Sequence, residues 1–154
     1  MKTAITQYLD EQQVPYRLLL HTTPATTIDD AAKQRKILPG QMVKSILLRD
    51  MGNNYALACV PGHLAADPKK VRALLKCRRM TCVPSSEIAD ITGYQIGTVT
   101  PLLLATEMPI FIDVQLQYMQ EVTISSGNTM AGIALNPADL FRLFRPIFAD
   151  IVRS

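Results

Sequence analysis

Residues 42–61 read Met42-Val43-Lys44-Ser45-Ile46-Leu47-Leu48-Arg49-Asp50-Met51-Gly52-Asn53-Asn54-Tyr55-Ala56-Leu57-Ala58-Cys59-Val60-Pro61. Two apolar runs flank a polar stretch with one glycine and two asparagines, which predicts strands over 42–48 and 55–61 joined as a hairpin. Lys44 breaks the first run. Side chains alternate across a strand, so Lys44 shares a face with Met42, Ile46 and Leu48. An ammonium on an apolar face loses hydration, and lysines are almost never fully buried without a partner. Either a cavity receives an anionic or polar ligand at Lys44, or its long stem carries the charge out to water.

Outward from the hairpin, the punctuation predicts alternating helices and strands. Ile5, Tyr8 and Leu9 recur at helical spacing within residues 2–13, and Pro15 ends that helix before a short strand over Tyr16–His21. Thr27 caps a second helix, with Asp29 and Asp30 suiting the dipole of its first turn, and Pro39-Gly40 stops it after Ile37. Asp67 as cap and Pro68 at the first helical position open a third helix, whose buried stripe is Val71, Leu74 and Leu75. Met80–Val83 is a short strand, and Ser85 or Ser86 caps a helix that closes at Gly93. Ile110–Leu116 alternates, with Ile110, Ile112, Val114 and Leu116 on a core face and Phe111, Asp113, Gln115 and Gln117 on a wetter one. Glu121–Ser125 and Ile133–Leu135 are further strands, and Asn136-Pro137 opens a last helix. The expected fold class is mixed α/β: one domain over residues 1–154, with a curved, largely antiparallel mixed sheet flanked by helices.

Composition narrows the classes of function. With 154 residues and 48% apolar content, the chain is long enough for a well-packed globule and too apolar for disorder. Its net charge of +3 is compatible with a polyanionic partner without requiring one. No run approaches the roughly 18 apolar residues of a membrane span. Lys2 is followed by Gln7, Asp10, Glu11, Gln12 and Gln13 rather than by the apolar core of a signal peptide. Three cysteines, Cys59, Cys77 and Cys82, form no CxxC and fit buried thiols in a reducing cytoplasm. With His21 and His63 alone to join them, no zinc site is expected, and no cofactor motif stands out.

Two further features bear on function. Lys69, Arg72 and Lys76 recur at i, i+3 and i+7 on the third helix, with Lys70, Arg78 and Arg79 close by. They form either a solvated face or a ridge that meets phosphates. Gly93-Tyr94-Gln95-Ile96-Gly97-Thr98-Val99-Thr100-Pro101 has two glycines four apart and then a proline, which lets backbone approach a ligand or simply turns the chain. It is not a phosphate-binding Walker loop, because no Gly-Lys-Ser/Thr follows.

Taken in order, Tyr16-Arg17-Leu18-Leu19-Leu20-His21, Val43-Lys44-Ser45-Ile46-Leu47, the Gly93–Pro101 loop, Ile112-Asp113, Ser125-Ser126-Gly127 and Leu135-Asn136-Pro137-Ala138-Asp139-Leu140 carry a resemblance. From about residue 4 to residue 145 the chain resembles the YbaK/prolyl-tRNA-synthetase editing-domain superfamily of aminoacyl-tRNA deacylases. The resemblance implies an enzyme that hydrolyses the ester of a mischarged tRNA, with tRNAPro carrying alanine or cysteine as the expected substrate. Prolyl-tRNA synthetase is the partner it suggests. It matches Lys44 to the family's strand lysine in the pocket for the tRNA 3′ end, which is the expected catalytic residue here. Gly97, Thr98, Val99, Thr100 and Pro101 match the loop facing the aminoacyl group, and Ser126-Gly127 a small-residue turn in the pocket wall. His21 matches a histidine after the first strand, with a structural role. Some members use a histidine late in the domain; none follows His63 here, which excludes that mechanism. Lys69, Arg72 and Lys76 become candidate tRNA contacts. Two other readings remain open: a catalytically silent tRNA- or synthetase-binding module of the same fold, and a lysine enzyme using Lys44 as base or Schiff-base former.

Overall fold

A computed structural model describes residues 1–154. In chain order the elements are α1 (Ala4–Glu11), β1 (Arg17–Leu20), α2 (Ile28–Arg35), β2 (Val43–Arg49), β3 (Tyr55–Pro61), α3 (Pro68–Leu75), β4 (Thr81–Cys82), α4 (Ser85–Thr92), β5 (Ile110–Asp113), β6 (Val122–Asn128), β7 (Ala131–Leu135), α5 (Pro137–Phe141) and β8 (Pro146–Ala149). Single 3₁₀ turns span Pro39–Gln41 and Val114–Tyr118. The mixed α/β class expected from the sequence is what forms.

The strands divide between two sheets. One is antiparallel with order β1-β7-β6; the other is mixed, with order β4-β2-β3-β5-β8. The β2–β3 hairpin keeps full register from Val43↔Pro61 to Arg49↔Tyr55. An isolated parallel bridge, Met42↔Thr123, ties the start of β2 to β6. Beyond that bridge the two strands separate, and the gap between them becomes the pocket described below.

The larger sheet is covered on both faces, as its unbroken apolar strands require. Val43, Leu47, Leu57, Cys59, Ile110 and Ile112 pack against α1 and the smaller sheet through Ile5, Leu9, Val122, Ile124, Ile133 and Leu135. Leu48, Ala56, Ala58, Val60 and Phe111 face the other way, against Val71 of α3, Met80 and Ile151.

Several helix caps form as the sequence predicts. Thr27 Oγ1 accepts the Asp30 N–H at 3.0 Å, and Asp67 Oδ1 accepts the Lys69 N–H at 3.0 Å. Replacing a cap of this kind by alanine costs about 1 kcal/mol. Asp67→Ala should therefore lower Tm by roughly 2–4 °C in a chain of this length, a shift readable by calorimetry. The cap of α4 differs from expectation. Its N-cap is Pro84, which offers no side-chain bond, and Ser85 and Ser86 already lie in the first turn.

Two further corrections concern the C-terminal half. Ile110–Leu116 does not run as one half-wet strand: β5 ends at Asp113, all four of its residues are buried, and a 3₁₀ turn follows. Asp113 makes that turn, accepting the Gln115 N–H at 3.1 Å and the Ile151 N–H at 3.1 Å. Phe111 packs with Val71 of α3 and Ile151, and Asp113 is capped by the Ile151 N–H, so this face of β5 meets protein, not water. The second correction is β8 itself, a strand parallel to β5 that follows the last helix. Its opening Pro146 sits on a sheet edge, where a missing N–H is tolerated.

Candidate active site

Lys44 leads to the pocket. Its stem lies on the α3 side of β2 with Ile46 and Leu48, half-buried, and its Nζ donates to the Leu64 carbonyl in the loop after β3. An ammonium has three donors, so two remain for a ligand. Burial lowers the Lys44 pKa from its ordinary 10.5. The side chain opens on a cavity of about 320 Å³ between β2, α2, β6 and the Gly93–Pro101 loop. That volume lies at the small end of ligand pockets.

The edge of β2 contributes backbone as well. The Leu47 carbonyl accepts the Val83 N–H, so the main-chain groups of Leu47 point away from β3. Those of Ser45, two residues earlier, point the same way. β4 pairs with β2 only at Leu48 and Arg49, which leaves the Ser45 peptide facing the pocket.

The cavity is also bordered by a side-chain cluster of which the sequence reading named His21 but missed Arg35. Arg35, at the end of α2, donates through Nε to His21 Nε2 at 3.1 Å and through Nη1 to Thr123 Oγ1 at 3.1 Å. Since the arginine must donate, His21 Nε2 accepts. The proton of that ring is therefore on Nδ1, which donates to the Thr129 carbonyl at 2.7 Å. The one lone pair of His21 is thus occupied, and the ring supports Arg35 instead of acting as a free base. Burial pulls the Arg35 guanidinium down to about 10, still cationic at neutral pH. Neither Arg35 nor Lys44 pairs with a carboxylate, and no Asp or Glu lines the cavity.

A signal for Arg35 was present in the sequence. Ala31 and Ala32 are the buried residues of α2, and Arg35 stands one turn beyond Ala31 on that face. It is the same oddity as Lys44, a cation on an apolar face. The two small alanines hide it, because they make the buried stripe hard to see.

The structure separates the other expected site residues. His21, Gly97 and Val99 line the cavity with Lys44. Gly97 has φ +83°, which excludes most side chains, and open space lies where its Cβ would be. Thr98 is buried and donates to the Gln95 carbonyl at 2.8 Å, holding the loop. Thr100 is buried with its hydroxyl unpartnered, and Pro101 is buried facing a different cavity. Ser126 turns inward to donate to the Ala131 carbonyl at 2.7 Å, and Gly127 adopts φ +86° in a β-bulge. It is their neighbours Ser125, Asn128 and Thr129 that reach the cavity. Lys69 and Arg72 on α3 and Lys76 at its left-handed C-cap are exposed and lie outside the pocket. Cys59 is fully buried with its thiol pushed up to about 12, which leaves it inert as a nucleophile. No three His, Cys, Asp or Glu side chains gather to hold a metal ion, and no helix is long and apolar enough to cross a membrane.

Fold and site together define a mixed α/β domain with a small, cation-lined, carboxylate-free pocket at a split between two sheets. The sequence profile of the aminoacyl-tRNA editing domain matches residues 22–143, and the chain belongs to that family. Among relatives, it is 27% identical to the uncharacterized protein YwhH of Bacillus subtilis, over all of this chain and 96% of that one. It is 20% identical to the provisionally named Cys-tRNA(Pro)/Cys-tRNA(Cys) deacylase EbsC of Enterococcus faecalis, over 97% and 93% of the two chains. A proline–tRNA ligase of Bacillus licheniformis shares 29% identity over 110 residues, 71% of this chain and 19% of the ligase. The fold matches a crystal structure described as a provisional trans-editing enzyme for prolyl-tRNA synthetase, with TM-score 0.81, 24% identity and coverage of 90% and 87%.

Proposed function

We propose that the protein is a trans-editing aminoacyl-tRNA deacylase acting as one domain over its whole length. Its substrate in this reading is tRNAPro mischarged with a small amino acid, alanine or cysteine, and Lys44 is its catalytic residue. The observation that carries this is the pocket itself: Lys44 held by one carbonyl, with two donors free, in a cavity without a carboxylate. Membership of the editing-domain family supports the reaction class. The names of EbsC and of the solved trans-editing enzyme point to the same substrate class.

The chemistry is hydrolysis of the ester between the amino acid and the terminal ribose. Water adds to the acyl carbon, the ester C–O bond breaks, and the ribose oxygen leaves with a proton as the amino acid departs with its carboxyl group. An activated ester needs an oriented nucleophile and support for the tetrahedral oxyanion. Lys44 supplies positive charge in a low-dielectric site, where it counts for more than in water. The Ser45 peptide and the Gly97 loop offer main-chain groups around the acyl carbon. Lys44 serves as an electrostatic anchor, since water attacks without a covalent lysine intermediate. Gly97, Thr98, Val99, Thr100 and Pro101 with Ser126 and Gly127 hold the walls in this reading, and His21 braces Arg35.

The direct experiment is release of the amino acid from a panel of mischarged tRNAs by the purified chain. The exposed cations of α3 give a second test. If Lys69, Arg72 and Lys76 meet tRNA phosphates, replacing all three by glutamine should weaken tRNA binding at low salt. It should also flatten the slope of log affinity against log salt by up to about three phosphate contacts. An unchanged slope would assign that face to solvent.

A further inference from the structure

A second cation, Arg35, is built into the lining of the pocket, and its ligand is unassigned. Arg35 is fixed on three sides: Nε on His21 at 3.1 Å, Nη1 on Thr123 at 3.1 Å, and its guanidinium end in the space that a side chain on Gly132 would fill. A Cβ at Gly132 would stand 2.2 Å from Arg35 Nε, so only glycine leaves room for the guanidinium there. His21 is itself tied to the Thr129 carbonyl at 2.7 Å, which completes the brace. These contacts spend Nε–H and one Nη1 hydrogen, and Arg35 borders the cavity with its remaining donors unassigned. A fixed guanidinium that has lost part of its hydration and has no carboxylate is a receiver for an anion.

The chemistry of the proposed substrate identifies that anion. An esterified amino acid has lost its carboxylate and keeps a cationic amine, so it offers no negative group. Adenine and ribose are neutral. The phosphodiester on the 5′ side of the terminal adenosine is the remaining choice. We infer that Arg35, braced by His21, Thr123 and Gly132, binds the 5′-phosphate of the terminal adenosine in the cavity that Lys44 also lines. This rests on the reading of the pocket as the receiver of a tRNA 3′ end. It divides the labour of the two cations: Arg35 takes the fixed phosphate charge, and Lys44 serves the charge that develops on the ester.

The test compares binding of 5′-AMP and adenosine to the full chain by calorimetry. The wild type should prefer AMP by roughly ten- to a hundredfold, the range of a charge-assisted contact. Arg35→Gln should reduce that preference to within about threefold while leaving adenosine affinity unchanged. Gly132→Ala should do the same with the arginine still present, because the added methyl displaces it; this keeps the test usable if Arg35→Gln fails to fold. A purely structural role for Arg35 would weaken both ligands equally and preserve their ratio. Retention of the wild-type ratio in both variants, or no AMP preference in the wild type, overturns the assignment. Loss of the preference in a chain that hydrolyses no mischarged tRNA would keep the phosphate site and remove the deacylase reading. Hydrolysis by the wild type with the ratio retained in both variants would remove Arg35 alone.

Discussion

Lys44→Ala is expected to lower the hydrolysis of mischarged tRNA by at least about a hundredfold while leaving the protein folded. The magnitude is that of removing one preorganised donor from a developing oxyanion, about 10²–10³ in rate. The fold should survive because Lys44 contributes one hydrogen bond, to the Leu64 carbonyl, at the rim of the sheet. Its charge opposes stability. A lysine whose pKa is lowered in the folded state holds its proton less tightly there than in the unfolded chain. The resulting penalty is present in full below the folded pKa, through neutral pH, fades as pH rises through the folded pKa, and is gone above the ordinary 10.5. Lys44→Met should therefore keep Tm unchanged or raise it slightly while abolishing turnover. Loss of function with stability retained is what a residue kept for chemistry produces. The measurement pairs single-turnover release of the amino acid with a thermal melt. Full activity in Lys44→Ala would remove the residue from the mechanism.

Phe111→Ala is expected to destabilise the chain by about 3–5 kcal/mol, the range for emptying an aromatic site in a well-packed core. Phe111 is 1% exposed on the interior strand β5, among Leu48, Val60, Val71 and Ile151. For a chain of this length the shift in Tm is on the order of 10 °C, with the denaturant slope unchanged. The expectation separates two arrangements of β5. If Phe111 lay on a wet face, as the alternation of Ile110–Leu116 suggests, truncation would cost under about 1 kcal/mol. A urea midpoint close to that of the wild type would mean that β5 is not sealed by α3.

That contrast shows which parts of the molecule local sequence carries. The β2–β3 hairpin was legible because two apolar runs and a polar turn are short-range signals, and so were the Thr27 and Asp67 caps. β5 was legible as a strand but not as one buried on both faces, and β8 was not legible at all. β8 forms by pairing with a strand far back along the chain, and alternation in β5 does not say how many layers cover it. Asp113 sharpens the point: an aspartate in an alternating run reads as wet, yet it is fully buried because two backbone N–H groups, on Gln115 and Ile151, bond to it. In the site, Lys44 was visible as a charge inside an apolar run. Arg35 obeys the same rule, but alanines make a faint stripe. The bulge after Ser125 shifts the register, so Asn128 and Thr129 reach the cavity where Ser126 and Gly127 were expected. A bulge re-aims side chains by one position, which spacing alone does not reveal.

The central proposal is hydrolysis at the Lys44 pocket. Its most direct test is the rate at which the purified chain releases amino acid from tRNAPro charged with alanine or cysteine, measured beside Pro-tRNAPro and an enzyme-free blank. The expected result is release well above the blank for at least one of the small mischarged substrates and none from the prolyl ester. Release no faster than the blank across the whole panel, from a folded protein that still binds tRNA, would contradict it and leave a silent binding module of the same fold.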